Sequence, residues 1–152
     1  PLQKKMSGGH LWLSRLIQNG SMKGKYYITF SIIWMMFIFF LSSQSNEKFQ
    51  EVSYSIKWLK FQSFIAHFTL YFILGFFFIN FLHFYIKNTI KKILSYFLLI
   101  IFYSVFDEIH QHFVPGRFFE IIDIFINIIG ATTLVLIFFS KKRLNIIVSK
   151  NK

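Results

Sequence analysis

Four stretches of this chain are apolar for nearly the length a helix needs to cross a hydrocarbon core, about 20 residues for about 30 Å. They cover residues 26–41, 64–86, 93–112 and 118–139. A chain of 152 residues that is 55% hydrophobic has no room to bury four such runs inside one water-soluble domain. Period-two alternation is absent, so helices are expected over barrel strands: in lipid a helix satisfies its own backbone hydrogen bonds. The expected fold class is all-α, a polytopic membrane protein with a four-helix transmembrane bundle. The first 21 residues read as a leader or remnant outside that bundle, and the fold is expected to begin at Met22.

The net charge of +11 fits a membrane surface better than nucleic acid, because the basic residues cluster where apolar runs end. No nucleic-acid-binding pattern is present, and no nucleic acid partner is expected. Cysteine is absent, which excludes disulfides, zinc–thiolate sites and thiol nucleophiles. Lys4, Lys5, Arg15, Lys23 and Lys25 precede or open the first run. Lys87, Lys91 and Lys92 lie in the second connection, and Lys141, Lys142, Arg143, Lys150 and Lys152 in the tail. Against these stand only Lys48, Lys57, Lys60 and Arg117 on the other side. The positive-inside rule therefore places both termini in the cytoplasm and the first and third connections outside. In the first connection Phe49, Val52, Ile56 and Leu59 recur at helical spacing, with Ser45 or Asn46 as a cap. That pattern predicts a short amphipathic helix on the outer surface, with Trp58 at headgroup level. A plain exposed loop is the alternative.

The third run poses a length problem. Ile93–Phe106 is 14 residues, worth only about 21 Å as a helix. To cross, the helix must continue through Asp107, Glu108 and Gln111 until Pro115–Gly116 turns the chain. The acidic pair then lies at membrane depth, where ionisable groups survive by facing the bundle interior and pairing. Of six acidic residues, four (Asp107, Glu108, Glu120 and Asp123) flank this one hairpin. Asp123 and Asn127 share a helix face, as do His67 and Tyr71, both at i, i+4 spacing. Ser42, Ser43 and Gln44 end the first run at the same depth, and Gly130 and Ala131 suit close helix approach. Each residue has a bland reading: His67 as a packing histidine, Arg117 as a neutraliser of acids, and His110, His112 and His83 as incidental. Jointly they predict an outward-facing polar site.

The segments "SSQS", "HFTLY", "DEIHQHFVPGR" and "DIFINIIGA" together resemble the VanZ-like family of bacterial membrane proteins, from about Ser42 to Ala131. The ordered set Asp107–Glu108, Gln111, Pro115–Gly116–Arg117, Asp123, Asn127 and Gly130 carries the resemblance. Glu120 departs from it, since the family commonly has a small hydroxyl residue there. The resemblance implies a small multi-pass protein of the bacterial cytoplasmic membrane. Its founding member is associated with low-level resistance to the acylated glycopeptide teicoplanin.

Three functions follow from these residues. The first is binding of an anionic lipid head group or a lipid-linked cell-wall intermediate. Arg117 would meet phosphate, with Gln111, Asp123, Asn127, Tyr71 and Ser43 as further ligand-binding residues. The second is an enzyme in which Asp107 or Glu108 acts as general base and His67 as acid or nucleophile. Metal-assisted hydrolysis through His67, Asp107, Glu108 and Asp123 is a variant of it. No zincin-type spacing occurs, however, so no metal or cofactor is expected. The third is transport, which is disfavoured because only Asn80 and His83 are polar in the inner half. A homo-oligomer is compatible with all three.

Overall fold

The computed structural model describes the backbone of residues 3–45 and 56–150, and the side-chain surroundings of residues 22–45, 61–137 and 140. It is all-helical over these residues. Helix α1 is Gln3–Ser42, α2 is Ile56–Tyr85, α3 is Thr89–His112 and α4 is Ile121–Lys150. Met22–Ser42, Phe61–Tyr85 and Thr89–His112 are long and apolar enough to cross a membrane, and Ile121–Ile137 is a shorter apolar stretch. The architecture is an all-α membrane bundle.

Helix α3 continues to His112, as the length argument requires, and so carries Asp107, Glu108 and Gln111 inside the helix. Its start is set by Asn88, whose side chain accepts the Lys91 N–H at 3.0 Å. Its end is set by a tight turn in which the Arg117 N–H donates to the Val114 carbonyl at 3.1 Å. Pro115 pre-sets the first corner of that turn. Gly116 takes the second at φ 76°, a left-handed conformation open to glycine.

Several helix boundaries differ from the expected spans: α1 runs unbroken from Gln3, so residues 3–21 continue into the first span, and α4 runs on to Lys150. Helix α4 begins at Ile121, not at residue 118. The reason is local: the Glu120 N–H is drawn to the Glu108 carboxylate at 3.2 Å, and the first helical turn closes only beyond it. Helix α2 begins at Ile56, so the second half of the predicted amphipathic segment, with Ile56, Trp58 and Leu59, is continuous with α2. The first half, with Phe49 and Val52, lies outside the described residues.

Helix α2 is the centre of the bundle. It packs most extensively on α4 and α1 and less on α3, while α3 also bridges α1 and α4. Between helices in lipid there is little hydrophobic drive, so close packing and interhelix hydrogen bonds hold the bundle. Gly130 supplies the packing: a Cβ there would collide with the Phe68 carbonyl oxygen of α2. Three ring donors supply the hydrogen bonds by reaching backbone carbonyls on neighbouring helices. Trp34 Nε1 donates to Leu70 O at 2.9 Å, Tyr96 OH to Ala131 O at 2.8 Å, and Tyr103 OH to Met35 O at 2.5 Å. Mid-bundle the core is apolar, built on Leu74, Ile79, Ile100 and Ala131, all fully buried. Large apolar side chains such as Met36, Leu98 and Phe102 instead point outward. Exposed apolar rings and buried charges are the polarity expected of a protein in lipid.

Candidate functional site

Most of the buried polar residues gather at the end of the bundle that carries the Pro115–Gly116 turn; Ser31 and Lys92 are buried elsewhere. On α3, Ser104, Asp107, Glu108 and Gln111 are buried, spaced three and four apart along one face. Helix α1 adds Ser42, α2 adds His67 and Tyr71, and α4 adds Asp123 and Asn127. Successive residues on a helix point about 100° apart, so Asp107 and Glu108 serve different neighbours.

Asp107 faces α1 and α2. The Ser42 hydroxyl donates to its Oδ1 at 2.5 Å, the short range of a charge-assisted bond. Tyr71 OH donates to Oδ2 at 3.4 Å and Gln111 Nε2 to the same oxygen at 3.3 Å. Glu108 faces α2 and α4. Its Oε1 accepts from Gln111 Nε2 at 3.4 Å, and its Oε2 takes the Glu120 N–H. The Gln111 amide thus spans both carboxylates.

Next to Glu108, Asn127 connects two groups. Its Nδ2 donates to Ser104 Oγ at 2.9 Å, which leaves Oδ1 to accept from His67 Nδ1 at 3.1 Å. The proton of His67 is therefore held on Nδ1. His67 Nε2 then faces Asp123 Oδ2 at 3.6 Å.

Arg117 lies on the rim, half-buried. Its Nε donates to Gln44 O at 2.9 Å, its Nη2 to Leu41 O at 3.3 Å and its Nη1 to Gln111 Oε1 at 3.3 Å. Two of these acceptors are carbonyls at the C-terminal end of α1, where a cation complements the helix dipole. Partial burial pulls the guanidinium pKa below its ordinary value, and the carboxylates of Asp107, Glu108 and Asp123 oppose that pull. Arg117→Met is expected to loosen the last turn of α1. Amide exchange at Ser43 and Gln44 should quicken, with about 1–3 kcal/mol of local stability lost. Arg117→Lys should recover part of it, as a point charge without the fork.

Ser43 points elsewhere. Its hydroxyl meets His110 Nε2 at 2.9 Å, and the His110 ring stacks on Phe39 with centroids 4.0 Å apart. This rim pair closes one end of an apolar groove of about 520 Å³ between α1 and α3, walled by Met35, Met36, Phe39, Phe40, Tyr103 and Phe106.

Seven sequence-predicted site residues are thus brought together: His67, Tyr71, Asp107, Glu108, Gln111, Asp123 and Asn127. Arg117 and Ser43 stand on the rim. His112 meets Phe113 edge-on at the helix end, and His83 lies beside Lys92 on the α2–α3 side of the opposite end. Sequence reasoning missed Ser104 and set His110 aside as incidental. Ser104 was legible as the residue four before Glu108, and His110 as the residue three after Asp107.

The family model described as VanZ/LLP1 matches residues 27–144 of the chain. No curated protein and no solved structure matches it.

Proposed function

From the premise that this chain belongs to the VanZ/LLP1 family, we propose that it is a bacterial cell-envelope membrane protein that binds an anionic lipid or a lipid-linked cell-wall intermediate. The observation that carries this reading is the apolar groove between α1 and α3 with the polar pair Ser43 and His110 at one end. An acyl or isoprenoid chain fits the groove, and the head group meets Ser43, His110 and Arg117. The basic-residue asymmetry argues that this end faces the outer leaflet, with both termini cytoplasmic. A surface-lipid or precursor role there would suit the link to teicoplanin that the family resemblance implies, since that antibiotic itself carries an acyl chain.

Purification from bacterial membranes followed by mass spectrometry of bound lipid tests the reading. Acidic or lipid-linked species should be enriched over an unrelated membrane protein. The enrichment should fall about tenfold when Arg117→Gln is combined with His110→Ala, the loss of about 1.4 kcal/mol. No enrichment, or enrichment unchanged in the double variant, overturns it.

A second reading, acid–base catalysis on such a lipid, is favoured by one observation. Glu108, His67 and Asp123 converge, buried, where α2, α3 and α4 meet, with one polar atom of each within 4.8 Å of the others. Glu108 and His67 suit the base and acid better than Asp107, which Ser42, Tyr71 and Gln111 already hold. Release of phosphate from a lipid-linked diphosphate, absent in His67→Gln, would support this reading. Equal release by the variant would dispose of it.

A further inference from the structure

We propose that His67, Glu108 and Asp123 form a binding site for a divalent first-row transition cation, Zn²⁺ fitting best, where α2, α3 and α4 meet. One ligand atom of each residue lies within 4.8 Å of the others, and all three side chains are buried. The donors come from three separate helices, so the grouping owes nothing to local spacing. That is why the sequence, which has no zincin-type motif, led to the expectation of no metal.

Histidine chemistry is the first argument. With Ser104 orienting the Asn127 amide and Asn127 Oδ1 accepting from Nδ1, His67 turns its Nε2 inward. It faces Asp123 Oδ2 at 3.6 Å, longer than an ordinary hydrogen bond. Two ligands each about 2.1 Å from a tetrahedral ion lie about 3.4 Å apart, which is close to this separation.

Charge is the second argument. Glu108 and Asp123 are two carboxylates side by side at membrane depth, where burying like charges is costly unless a cation lies between them. Arg117 lies within electrostatic reach of both carboxylates, while its Nε, Nη1 and Nη2 donate to Gln44, Gln111 and Leu41.

Support for the ligands is the third. His67 is held by Asn127, and the Glu108 oxygens by Gln111 Nε2 and the Glu120 N–H, the kind of outer contacts that orient metal ligands. One imidazole and two carboxylates suit Zn²⁺, Mn²⁺ or Fe²⁺ over Mg²⁺ or Ca²⁺. Three protein ligands leave a fourth tetrahedral position for an exogenous oxygen donor.

The test uses the full chain, purified in detergent without a histidine tag, stripped with chelator and titrated with Zn²⁺ alone. About one tightly held Zn²⁺ per chain is expected, and Co²⁺ in its place should show the visible absorption of a tetrahedral site. His67→Gln, Glu108→Gln and Asp123→Asn should each lose the metal. Asn127→Ala should weaken binding about 10- to 100-fold, and a His110→Ala, His112→Ala variant should bind normally. For any variant that does not fold, the Mn²⁺-loaded intact chain decides: electron spin-echo spectra should show coupling to an imidazole nitrogen that survives in the His110, His112 variant. Substoichiometric metal in the intact chain, metal retained by the folded ligand variants, or no nitrogen coupling overturns the proposal. No lipid is added, so failure here leaves the lipid reading standing, and failure of lipid enrichment leaves this site standing.

Discussion

Valine at position 130 is expected to prevent the bundle from assembling. Gly130 sits where α4 crosses α2, and a Cβ there would meet the Phe68 carbonyl oxygen and Cα, which are backbone and cannot rotate aside. A flexible side chain would yield by changing rotamer; here the two helices must separate. Overpacking of this kind costs typically about 1–3 kcal/mol for a modest group. A β-branched side chain against backbone belongs at or above the top of that range. Helix separation would also pull Asn127, one turn away on α4, from His67 on α2. Gly130→Ala should be intermediate. Gel filtration after heating in detergent would show the series, with the midpoint falling from glycine to alanine and little folded species for valine. A midpoint unmoved by alanine would refute the close crossing.

Asp107→Ala is expected to have the next largest effect, through unsatisfied donors instead of volume. Ser42 Oγ, Tyr71 OH and Gln111 Nε2 all donate to the Asp107 carboxylate. Ser42 also joins α1 to α3 through it. The bonds differ in length, and that decides their weight: Ser42 at 2.5 Å should dominate, while Tyr71 at 3.4 Å should add little. Loss of all three acceptor contacts is expected to cost about 2–4 kcal/mol. Asp107→Asn, which keeps one acceptor oxygen and the shape, should recover about half of that. A double-mutant cycle gives the sharper reading. Ser42→Ala with Asp107→Ala should show coupling of about 1 kcal/mol or more, and Tyr71→Phe with Asp107→Ala only a few tenths. Equal coupling for the two pairs would mean that the distances do not set the energies.

How much of this was legible beforehand can be traced through particular residues. That Asp107, Glu108 and Gln111 belong to a helix followed from 14 apolar residues being too few to cross a membrane, and α3 runs to His112. The pairs His67/Tyr71 and Asp123/Asn127 were legible because the helical repeat is a local rule. Ser43 shows where the local rule stops. Both it and Ser42 could close the ring, and Ser43 was the one named for ligand binding, yet Ser42 takes Asp107 and Ser43 takes His110. The choice depends on the rotation of α1 about its own axis, which packing against α2 sets. Arg117 shows a second limit. Its charge pointed to phosphate or to the acids; that its fork also reaches two carbonyls at the end of α1 came from the turn at Gly116. Backbone acceptors at a distant helix end leave no mark in a sequence.

What the sequence by itself determined is the apolar solvent, the helical class and the place of Asp107 and Glu108 within a helix long enough to span. Run length and helical period suffice for all three, because lipid forces each spanning segment to satisfy its own backbone. Only the tertiary structure decided that Glu108, His67 and Asp123 converge while Asp107, adjacent to Glu108 in the chain, turns to Ser42 and Tyr71 and is linked to Glu108 through Gln111. Those relations run between helices. They are set by close approach at Gly130 and by the angle between successive side chains, and no spacing along one chain segment encodes them.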